Sequence, residues 1–161
     1  MSIEINNTTA NDGVSIWELI KDCSPLDLNS SYLYLILCLH FSETCLVAKS
    51  DSQIVGFISS YILPKNKDVL FVWQVAVHEK MRGQGLGKKL LNKLIQQNVC
   101  KEIRYITCTI SPSNKASKSL FKSFAKNLEA DFKENVLFTK DYFPKEEVHE
   151  EEALIQIGPL Q

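Results

Sequence analysis

A glycine-rich loop, RGQGLG at residues 82–87, follows an apolar run and leads at once into a basic, leucine-rich segment. Such a loop is either a plain connection or a binding site for an anion. Glycines at alternate positions permit positive φ angles and let the backbone approach a ligand closely, because they have no Cβ atom. If a strand precedes the loop and a helix follows it, the free N–H groups of the helix N-terminus favour a phosphate-like group. Arg82 adds a positive charge, so the loop is a candidate anion site.

The segments on both sides of the loop have the patterns that an anion site needs. Residues 69–77, VLFVWQVAV, are rich in β-branched and aromatic side chains and predict a strand. After the loop, apolar residues recur at helical spacing with lysines between them, which predicts an amphipathic helix. These residues are Leu86, Leu90, Leu91, Leu94 and Ile95. A strand, a glycine-rich loop and a helix therefore follow one another in the required order.

The rest of the chain alternates between short strands and helices. Periodicity and turn residues predict strands over 2–5, 44–49, 54–63, 69–77, 103–110, 134–139 and 153–157, and helices over 13–23, 30–41, from 86 and from 116. The order β-α-α-β-β-β-α-β-α-β-β predicts an α/β fold, with a mixed sheet that carries helices on both faces. The helix over 30–41 is so apolar that we expect it to be largely buried. In the first helix, the pattern places these apolar residues roughly on one helical face: Val14, Ile16, Trp17, Ile20 and Cys23.

Length and composition limit the range of functions. The chain has 161 residues, 45% of them hydrophobic, which predicts one domain spanning 1–161 with a proper core. A formal net charge of -1, with the basic residues scattered, argues against a nucleic-acid-binding surface. No apolar stretch reaches the ~20 residues of a membrane span, so we expect no membrane contact and a cytoplasmic location. Five cysteines without CxxC spacing predict reduced thiols, and we expect no metal site.

The strand, the loop and the helix resemble the signature of a known enzyme family, the GCN5-related N-acetyltransferases (GNATs). In that family the pattern Gln/Arg-x-x-Gly-x-Gly/Ala binds the pyrophosphate of acetyl-CoA, and residues 82–87 match it. The order of elements also matches over nearly the whole chain. A dinucleotide-binding fingerprint does not fit, because it requires a GxGxxG spacing and an acidic residue about 20 positions later. The resemblance therefore implies a GNAT fold that uses acetyl-CoA as cosubstrate.

The resemblance also implies which residues bind acetyl-CoA. The backbone of Val75 and Val77 would bond to the pantetheine arm as an added strand does, and the Val75 N–H would donate to the oxyanion at the thioester. Asn114 matches the family's asparagine that reaches the pantetheine; an N-cap is its alternative role, and both roles can coexist. The implied cofactor-binding residues are Val75, Val77, Arg82, Gly83, Gln84, Gly85, Leu86, Gly87, Asn114 and Ser117.

One position departs from the family pattern. Seven residues after Asn114, where many relatives carry a tyrosine that protonates the departing thiolate, the chain has Phe121. The thiolate would then leave unassisted, or Tyr32 or His149 would supply the proton. Cys108, on the strand beside the expected cleft, raises the alternative of a thiol-acyl intermediate. We favour direct attack of the amine in a ternary complex.

Within the family, the chain is most similar to the enzymes that acetylate the γ-amine of L-2,4-diaminobutyrate in ectoine synthesis. Besides the loop, the similarity lies in FVWQVAV (71–77), TISPSNKAS (109–117) and HEEEALIQIGPL (149–160). It implies a small diamino-acid substrate and a homodimer. The implied substrate-binding residues are Asp27, Tyr32, Trp73, Gln74, His149, Glu150 and Glu152, with Val75, Tyr32 and His149 as catalytic candidates.

These assignments have simpler alternatives. Asp27 can be a turn residue beside a helix, Tyr32 a core aromatic and His149 an exposed residue of an acidic loop. Trp73 and Gln74 are adjacent, so an undistorted strand sends them to opposite faces. We then expect Trp73 to face the substrate, unless a β-bulge brings both residues there. Two other functions also remain open: acetylation of another small amine or a peptide N-terminus, and non-catalytic binding of acetyl-CoA.

Overall fold

Seven strands and four α-helices make up the computed structural model, which describes residues 2–161. The strands are β1 Ile3–Asn7, β2 Leu46–Ser50, β3 Gln53–Leu63, β4 Asn66–Val77, β5 Tyr105–Ile110, β6 Phe132–Phe138 and β7 Glu152–Ile157. The helices are α1 Gly13–Lys21, α2 Ser31–His40, α3 Leu86–Ile95 and α4 Lys115–Asn127. Every predicted element is present in the predicted order, and the ends differ from the prediction by a few residues at most.

The strands form one mixed sheet in the order β1-β2-β3-β4-β5-β7-β6. All neighbours are antiparallel except β4 and β5, which run parallel. That parallel pairing is short, because it joins only residues 69–72 to residues 105–108. Within the described chain, residues 73–77 of β4 have no strand partner on their β5 side. The sheet therefore opens into a gap between the carboxyl-terminal halves of β4 and β5.

A β-bulge lies where the gap opens. β3 pairs through Ser59 with Gln74 and through Ser60 with Val72, so Trp73 is the extra residue on β4. The Gln74 N–H donates to Ser59 Oγ at 3.1 Å and keeps a partner at this irregular position. Bulges bend a strand and change the direction of its side chains. With this bulge, the side chains of Trp73 and Gln74 can line the same site.

The helices cover the sheet on both faces, as predicted. α3 and α4 pack on one face through fully buried side chains such as Leu90, Leu94 and Phe124. α1 and α2 pack on the other face, where Ile16 lies in one cluster with Phe57 of β3. Burying one such side chain stabilises the fold by ~1.5–3 kcal/mol. The two layers thus hold the loops that surround the gap.

One expectation about the first pair of helices is wrong. α2 is not largely buried: Tyr32 is 68% exposed, and Leu35 and Leu39 are exposed too. The cause is that α2 packs against α1 and the sheet with only one of its sides. In α1, Val14 is exposed and Leu19 is buried, because the helical period places Leu19 three residues from Ile16 on the same face.

Within residues 2–161, no helix is long and apolar enough to cross a membrane. In the same range, no group of three or more His, Cys, Asp or Glu side chains could hold a metal ion. The five cysteines are free and buried. Their thiols therefore pack as small apolar groups.

Candidate active site

The gap between β4 and β5 exposes backbone groups of β4. The N–H groups of Gln74 and His78 both point toward β3, and the His78 N–H donates to Val55 O at 2.9 Å. Peptide groups alternate in direction along a strand, so the N–H and C=O groups of Val75 and Val77 point the other way, into the gap. These groups can therefore pair with an extended ligand that lies there.

The glycine-rich loop leads from β4 into α3. Gly83 and Gly85 have φ angles of 72° and 76°, which residues other than glycine rarely adopt. Gly85 is the N-cap of α3, and its carbonyl accepts from the Lys89 N–H at 3.0 Å. A Cβ atom at Gly83 or Gly85 would meet nothing within 4 Å, so the space in front of the loop is open. At Gly87 a Cβ atom would lie 3.2 Å from the Leu120 side chain, so this glycine serves the close approach of α3 and α4.

A cavity of about 460 Å³ is lined by the end of β4, the glycine-rich loop and α4. Nine of the ten predicted cofactor-binding residues line this cofactor cavity: Val75, Val77, Arg82, Gly83, Gly85, Leu86, Gly87, Asn114 and Ser117. Gln84 does not line the cavity, because its Nε2 donates to Lys80 O at 3.0 Å and the side chain turns toward Lys80. Residues 23–26 also line the cavity. These residues were not predicted from the sequence as part of the site.

Asn114 lies where two cavities meet. Its Oδ1 accepts from the Ser117 N–H at 3.2 Å, which confirms the N-cap of α4. Asn114 lines the cofactor cavity and also a second cavity of about 260 Å³. Pro25 and Leu26 are likewise common to both. A ligand in one cavity is therefore adjacent to a ligand in the other.

The second cavity contains most of the predicted substrate-binding residues. Six of the seven line it: Asp27, Trp73, Gln74, His149, Glu150 and Glu152. Because of the bulge, Trp73 and Gln74 both line it, although Trp73 is 39% exposed and Gln74 only 4%. Hydroxyl groups of Thr109, Ser111 and Ser113 complete its wall, and these were not predicted from the sequence. We call this space the acidic cavity.

Tyr32 was predicted at the site, and the structure does not place it there. It lies on the exposed side of α2 and lines neither cavity. The alternative of a core aromatic is wrong as well. The buried tyrosine of α2 is Tyr34, whose hydroxyl donates to Gln74 Oε1 at 3.1 Å. In this structure Tyr32 therefore lies apart from the other predicted substrate-binding residues.

His149 is held from two sides. Its ring stacks on Phe143, with centroids 3.7 Å apart and ring planes 7° from parallel. Its Nδ1 lies 2.6 Å from Glu150 O. A carbonyl oxygen only accepts, so Nδ1 carries the hydrogen and Nε2 of the neutral ring keeps a free lone pair. Nε2 is 3.9 Å from Asp27 Oδ2, so His149 is part of the cavity rather than a freely exposed residue.

The pKa values of two carboxylates in the acidic cavity are shifted in opposite directions. The Ser113 hydroxyl donates to Glu150 Oε2 at 2.5 Å and holds the pKa of Glu150 below its usual value. The pKa of Glu152 is raised, chiefly by burial and further by the negative charges of Asp27 and Glu150, while His149 opposes the shift. Three carboxylates around one small cavity give a negative potential that favours a cationic ligand.

Comparison with known proteins identifies the family. The family model "Acetyltransferase (GNAT) family" matches residues 14–125. The L-2,4-diaminobutyric acid acetyltransferase of Marinococcus halophilus is 47% identical over 159 residues, which are 99% of this chain and 91% of the relative. The chain belongs to the GNAT acetyltransferase family. The enzyme of the same name from Shouchella clausii is 44% identical over 99% of this GNAT enzyme and 88% of the relative.

Solved structures show the same fold. The diaminobutyrate acetyltransferase EctA from Paenibacillus lautus, in complex with its substrate L-2,4-diaminobutyric acid and coenzyme A, has a TM-score of 0.96 and 42% sequence identity, covering 98% of this chain and 95% of that chain. The ribosomal-protein-S18-alanine N-acetyltransferase from Escherichia coli has a TM-score of 0.74 at 16% identity, covering 99% of this chain and 96% of that chain. That second likeness concerns the fold alone. The predicted GNAT fold is confirmed.

The cofactor cavity of this GNAT enzyme fits acetyl-CoA. The open space in front of Gly83 and Gly85 and the free N–H groups at the start of α3 suit a pyrophosphate. The backbone of Val75 and the Val77 N–H, which point into the gap, suit the amide-containing pantetheine arm. The two features are adjoining walls of one cavity, as a long bent cosubstrate requires.

Phe121 and Cys108 belong to the core instead of either cavity. Phe121 is buried with Phe124 and the leucines of α3. Cys108 is buried in the same cluster, and burial raises the pKa of its thiol. A thiol that stays protonated is a poor nucleophile, which argues against a thiol-acyl intermediate.

Phe121→Tyr should not accelerate the chemical step, because the new hydroxyl would enter the core rather than the cavity. A buried hydroxyl without a partner costs ~1–3 kcal/mol, so we expect a lower free energy of unfolding. Phe124→Tyr on the same helix is the matched control, with a similar loss of stability and no gain in rate. Single-turnover kinetics and denaturant titration measure both effects. A rise of more than about tenfold for Phe121→Tyr, ~1.4 kcal/mol in the barrier, would contradict this placement.

Proposed function

We propose that this GNAT enzyme transfers the acetyl group of acetyl-CoA to the γ-amine of L-2,4-diaminobutyrate, a step of ectoine synthesis. The observation that carries the proposal is the contact of two chemically different cavities at Asn114. One presents backbone donors to an anionic cosubstrate, and the other presents carboxylates to a cationic amine. The relatives named for this reaction, and the Paenibacillus lautus enzyme in complex with L-2,4-diaminobutyric acid and coenzyme A, support the choice of substrate.

In this proposal the pantetheine arm of acetyl-CoA pairs with β4 at the gap. The Val77 carbonyl already accepts from Arg82 Nε at 3.2 Å and from Cys23 Sγ at 3.6 Å, so in the proposal the Val77 N–H and the backbone of Val75 pair with the arm. The pyrophosphate lies against the N–H groups at residues 83–87. Arg82 contributes a positive charge near the pyrophosphate. The acetyl group then lies near Val75, on the acidic-cavity side of Asn114.

The Val75 N–H is the proposed donor to the oxyanion that forms at the acetyl carbonyl. It points into the gap with no partner on β5, so it is available to the reacting group without a rearrangement of the sheet. A donor fixed in advance stabilises developing charge better than water does, because it needs no reorganisation. The thiolate then leaves without a proton from position 121, since Phe121 has none to give.

The acidic cavity holds the amino-acid end of the substrate. Asp27 and Glu152 are the proposed partners of the α-ammonium, because both carboxylates line the cavity. Glu150 has a different role, since Ser113 already occupies its carboxylate. It holds the segment around His149 against the start of α4. In the proposal, backbone donors meet the substrate carboxylate, because the hydroxyls of Thr109 and Ser111 already bond to Glu152 and Glu150.

His149 is the proposed proton acceptor of the attacking γ-amine. Its Nε2 keeps a lone pair directed toward the cavity, and stacking on Phe143 fixes the ring plane. A neutral imidazole with a free lone pair can accept the proton of an attacking amine. The acidic cavity thus offers separate groups for substrate binding and for proton transfer.

The test is a panel of amines incubated with acetyl-CoA while the release of free CoA thiol is followed. Diaminobutyrate should give the largest kcat/KM, with NMR showing acetyl on the γ-nitrogen. A preference for another small amine or for a peptide N-terminus would overturn the substrate assignment. If no amine in the panel causes release of CoA thiol while CoA still binds, the protein is a non-catalytic acetyl-CoA-binding module.

We further propose that the enzyme forms a homodimer through the β6 edge of the sheet. β6 ends the strand order, and its side chains are exposed along most of its length. Val136, Leu137 and Phe138 are exposed there, and Tyr142 is exposed just after the strand. An apolar edge strand is prone to pair with another chain. A second copy covers this surface in the proposal.

Leu137→Lys is expected to shift the enzyme from dimer to monomer, because it places a charge in the proposed interface. Sedimentation velocity at several concentrations measures the change. Val14→Lys on α1 is the matched control, since Val14 is an exposed apolar residue outside this surface. A wild-type monomer, or a Leu137→Lys dimer of unchanged affinity, would rule out the β6 interface.

A further inference from the structure

Gln74 lines the acidic cavity, yet the protein itself already uses its polar atoms. Its Nε2 donates to Asp27 O at 2.7 Å, and its Oε1 accepts from the Tyr34 hydroxyl at 3.1 Å. Its backbone N–H donates to Ser59 Oγ. The side chain is 4% exposed. A buried amide whose donor and acceptor are both engaged has little capacity left for a substrate.

Tyr34 is bonded in the same way. It is fully buried on α2, and its ring packs edge-on against Phe57 at 6.2 Å. Its hydroxyl donates to Gln74 and also accepts from the Asn29 N–H at 3.4 Å. The hydroxyl therefore connects β4 to the loop between α1 and α2. The Tyr34–Gln74 bond is buried, and the contacts that reach the loop are partly buried.

The two contacts hold the backbone on both sides of one functional side chain. Gln74 holds the carbonyl of Asp27, and Tyr34 holds the N–H of Asn29, two residues later. The Asp27 side chain itself is 82% exposed and is 3.9 Å from His149 Nε2. Surface contacts of that kind do not fix a loop. The buried pair therefore holds the backbone segment from which the Asp27 carboxylate projects.

We propose that Gln74 and Tyr34 form a positioning pair that holds the Asp27 loop for recognition of the amino-acid end of the substrate. The proposal rests on the role of Asp27 in the proposed function. It reassigns Gln74 from a substrate contact to a residue that acts through another. The bulge at Trp73 places the Gln74 amide toward α2 and the loop, while Trp73 remains free to face the ligand. An anchor that is held before binding loses less entropy when the substrate arrives.

Two variants test the pair. Gln74→Met keeps the approximate size of the side chain and removes both amide contacts, and Tyr34→Phe keeps the ring and removes the hydroxyl. Each should raise the KM for diaminobutyrate by about tenfold, with kcat changed less than about threefold, since the reacting groups are untouched. The Kd for CoA should stay within about twofold of wild type. Some α-acetylated product should appear in the NMR spectrum of the reaction.

A structural role alone predicts a different result, and a matched control shows it. Thr44→Val removes a buried hydrogen bond to Ser60 O at 2.7 Å, outside both cavities, and should lower stability without moving KM. In a double-variant cycle, Gln74→Met should add little to Asp27→Ala, because both act through one carboxylate. Additive effects, or an unchanged KM in both Gln74→Met and Tyr34→Phe, would overturn the proposal.

The outcomes also separate this inference from the proposed function. A wild-type enzyme that does not acetylate diaminobutyrate refutes the function. A wild-type enzyme that does so, with an unchanged KM in both variants, refutes only the positioning pair. If Gln74→Met fails to fold, Tyr34→Phe still decides the matter, because its ring keeps the contact with Phe57.

Discussion

Asp27→Ala is expected to raise the KM for diaminobutyrate by about ten- to a hundredfold. Removing one charge-assisted contact costs ~1.5–3 kcal/mol. The upper end applies if substrate binding excludes water from a carboxylate that is 82% exposed in the free enzyme. A contact that stays solvated gives the lower end or less. The size of the effect thus reports how far the bound substrate closes the acidic cavity.

Asp27→Ala should also weaken the choice between the two amines. The α-amine of diaminobutyrate has the lower pKa and loses its proton more easily, so basicity alone does not select the γ-amine. Anchors on the amino-acid end must therefore impose the selection by position. With one anchor removed, the substrate can turn, and α-acetylated product should appear. NMR of the products from wild type and variant measures this ratio.

Two controls define the contribution of the charge. Asp27→Asn keeps the side-chain size and removes the charge, so it should show most of the effect of Asp27→Ala. Asp22→Ala removes a carboxylate just after α1 that lines neither cavity, and it should leave KM unchanged. If Asp27→Ala keeps the wild-type KM and gives only γ-acetylated product, Asp27 is not the anchor.

The glycine-rich loop was predictable because its cause is local. Positive φ angles at Gly83 and Gly85 follow from the geometry of a strand that turns at once into a helix, and glycine is the residue that adopts them most readily. The sequence pattern of β4 and the amphipathic pattern of α3 predicted the strand and the helix on the two sides of the loop. Nearly all the predicted cofactor-binding residues therefore line one cavity, and only Gln84 turns away.

The choice between Tyr32 and Tyr34 was not predictable in the same way. SYLYLILCLH in α2 has almost no polar residues, so the sequence contains no polar side from which the buried side can be read. Only packing against α1 and the sheet decides the rotation of the helix. That packing buries Tyr34 and leaves Tyr32 in solvent. A tertiary contact, rather than a local rule, therefore decides which tyrosine serves the site.

The bulge at Trp73 depends on tertiary structure as well. The Ser59 hydroxyl accepts from the Gln74 N–H and makes the irregular pairing tolerable, and Ser59 lies on another strand. The contact of Glu150 with Ser113 joins residues 37 positions apart. Spacing along the chain indicates neither contact. The sequence therefore indicates which residues form the acidic cavity more reliably than what each of them does there.

Gly85→Asp is expected to weaken CoA binding by about ten- to a hundredfold while the fold survives. Gly85 is the N-cap of α3 and has a φ angle of 76°, in the left-handed region that Asp tolerates better than most residues. Aspartate at an N-cap is also favourable for a helix, because its carboxylate accepts from the free N–H groups. Those are the donors that the pyrophosphate needs. The variant would therefore fill the anion site with its own carboxylate and repel the ligand.

Gly85→Asn separates the two causes, because asparagine has nearly the same size and tolerance of positive φ but no charge. It should weaken CoA binding less than Gly85→Asp does. The difference between the two variants should shrink as the salt concentration rises, since salt screens an exposed charge. Calorimetric titration with CoA at low and high salt measures both effects, and thermal unfolding checks that α3 is intact. An affinity that neither variant changes would remove residues 82–87 from the cofactor site, and with them the main structural reason to place acetyl-CoA in this gap.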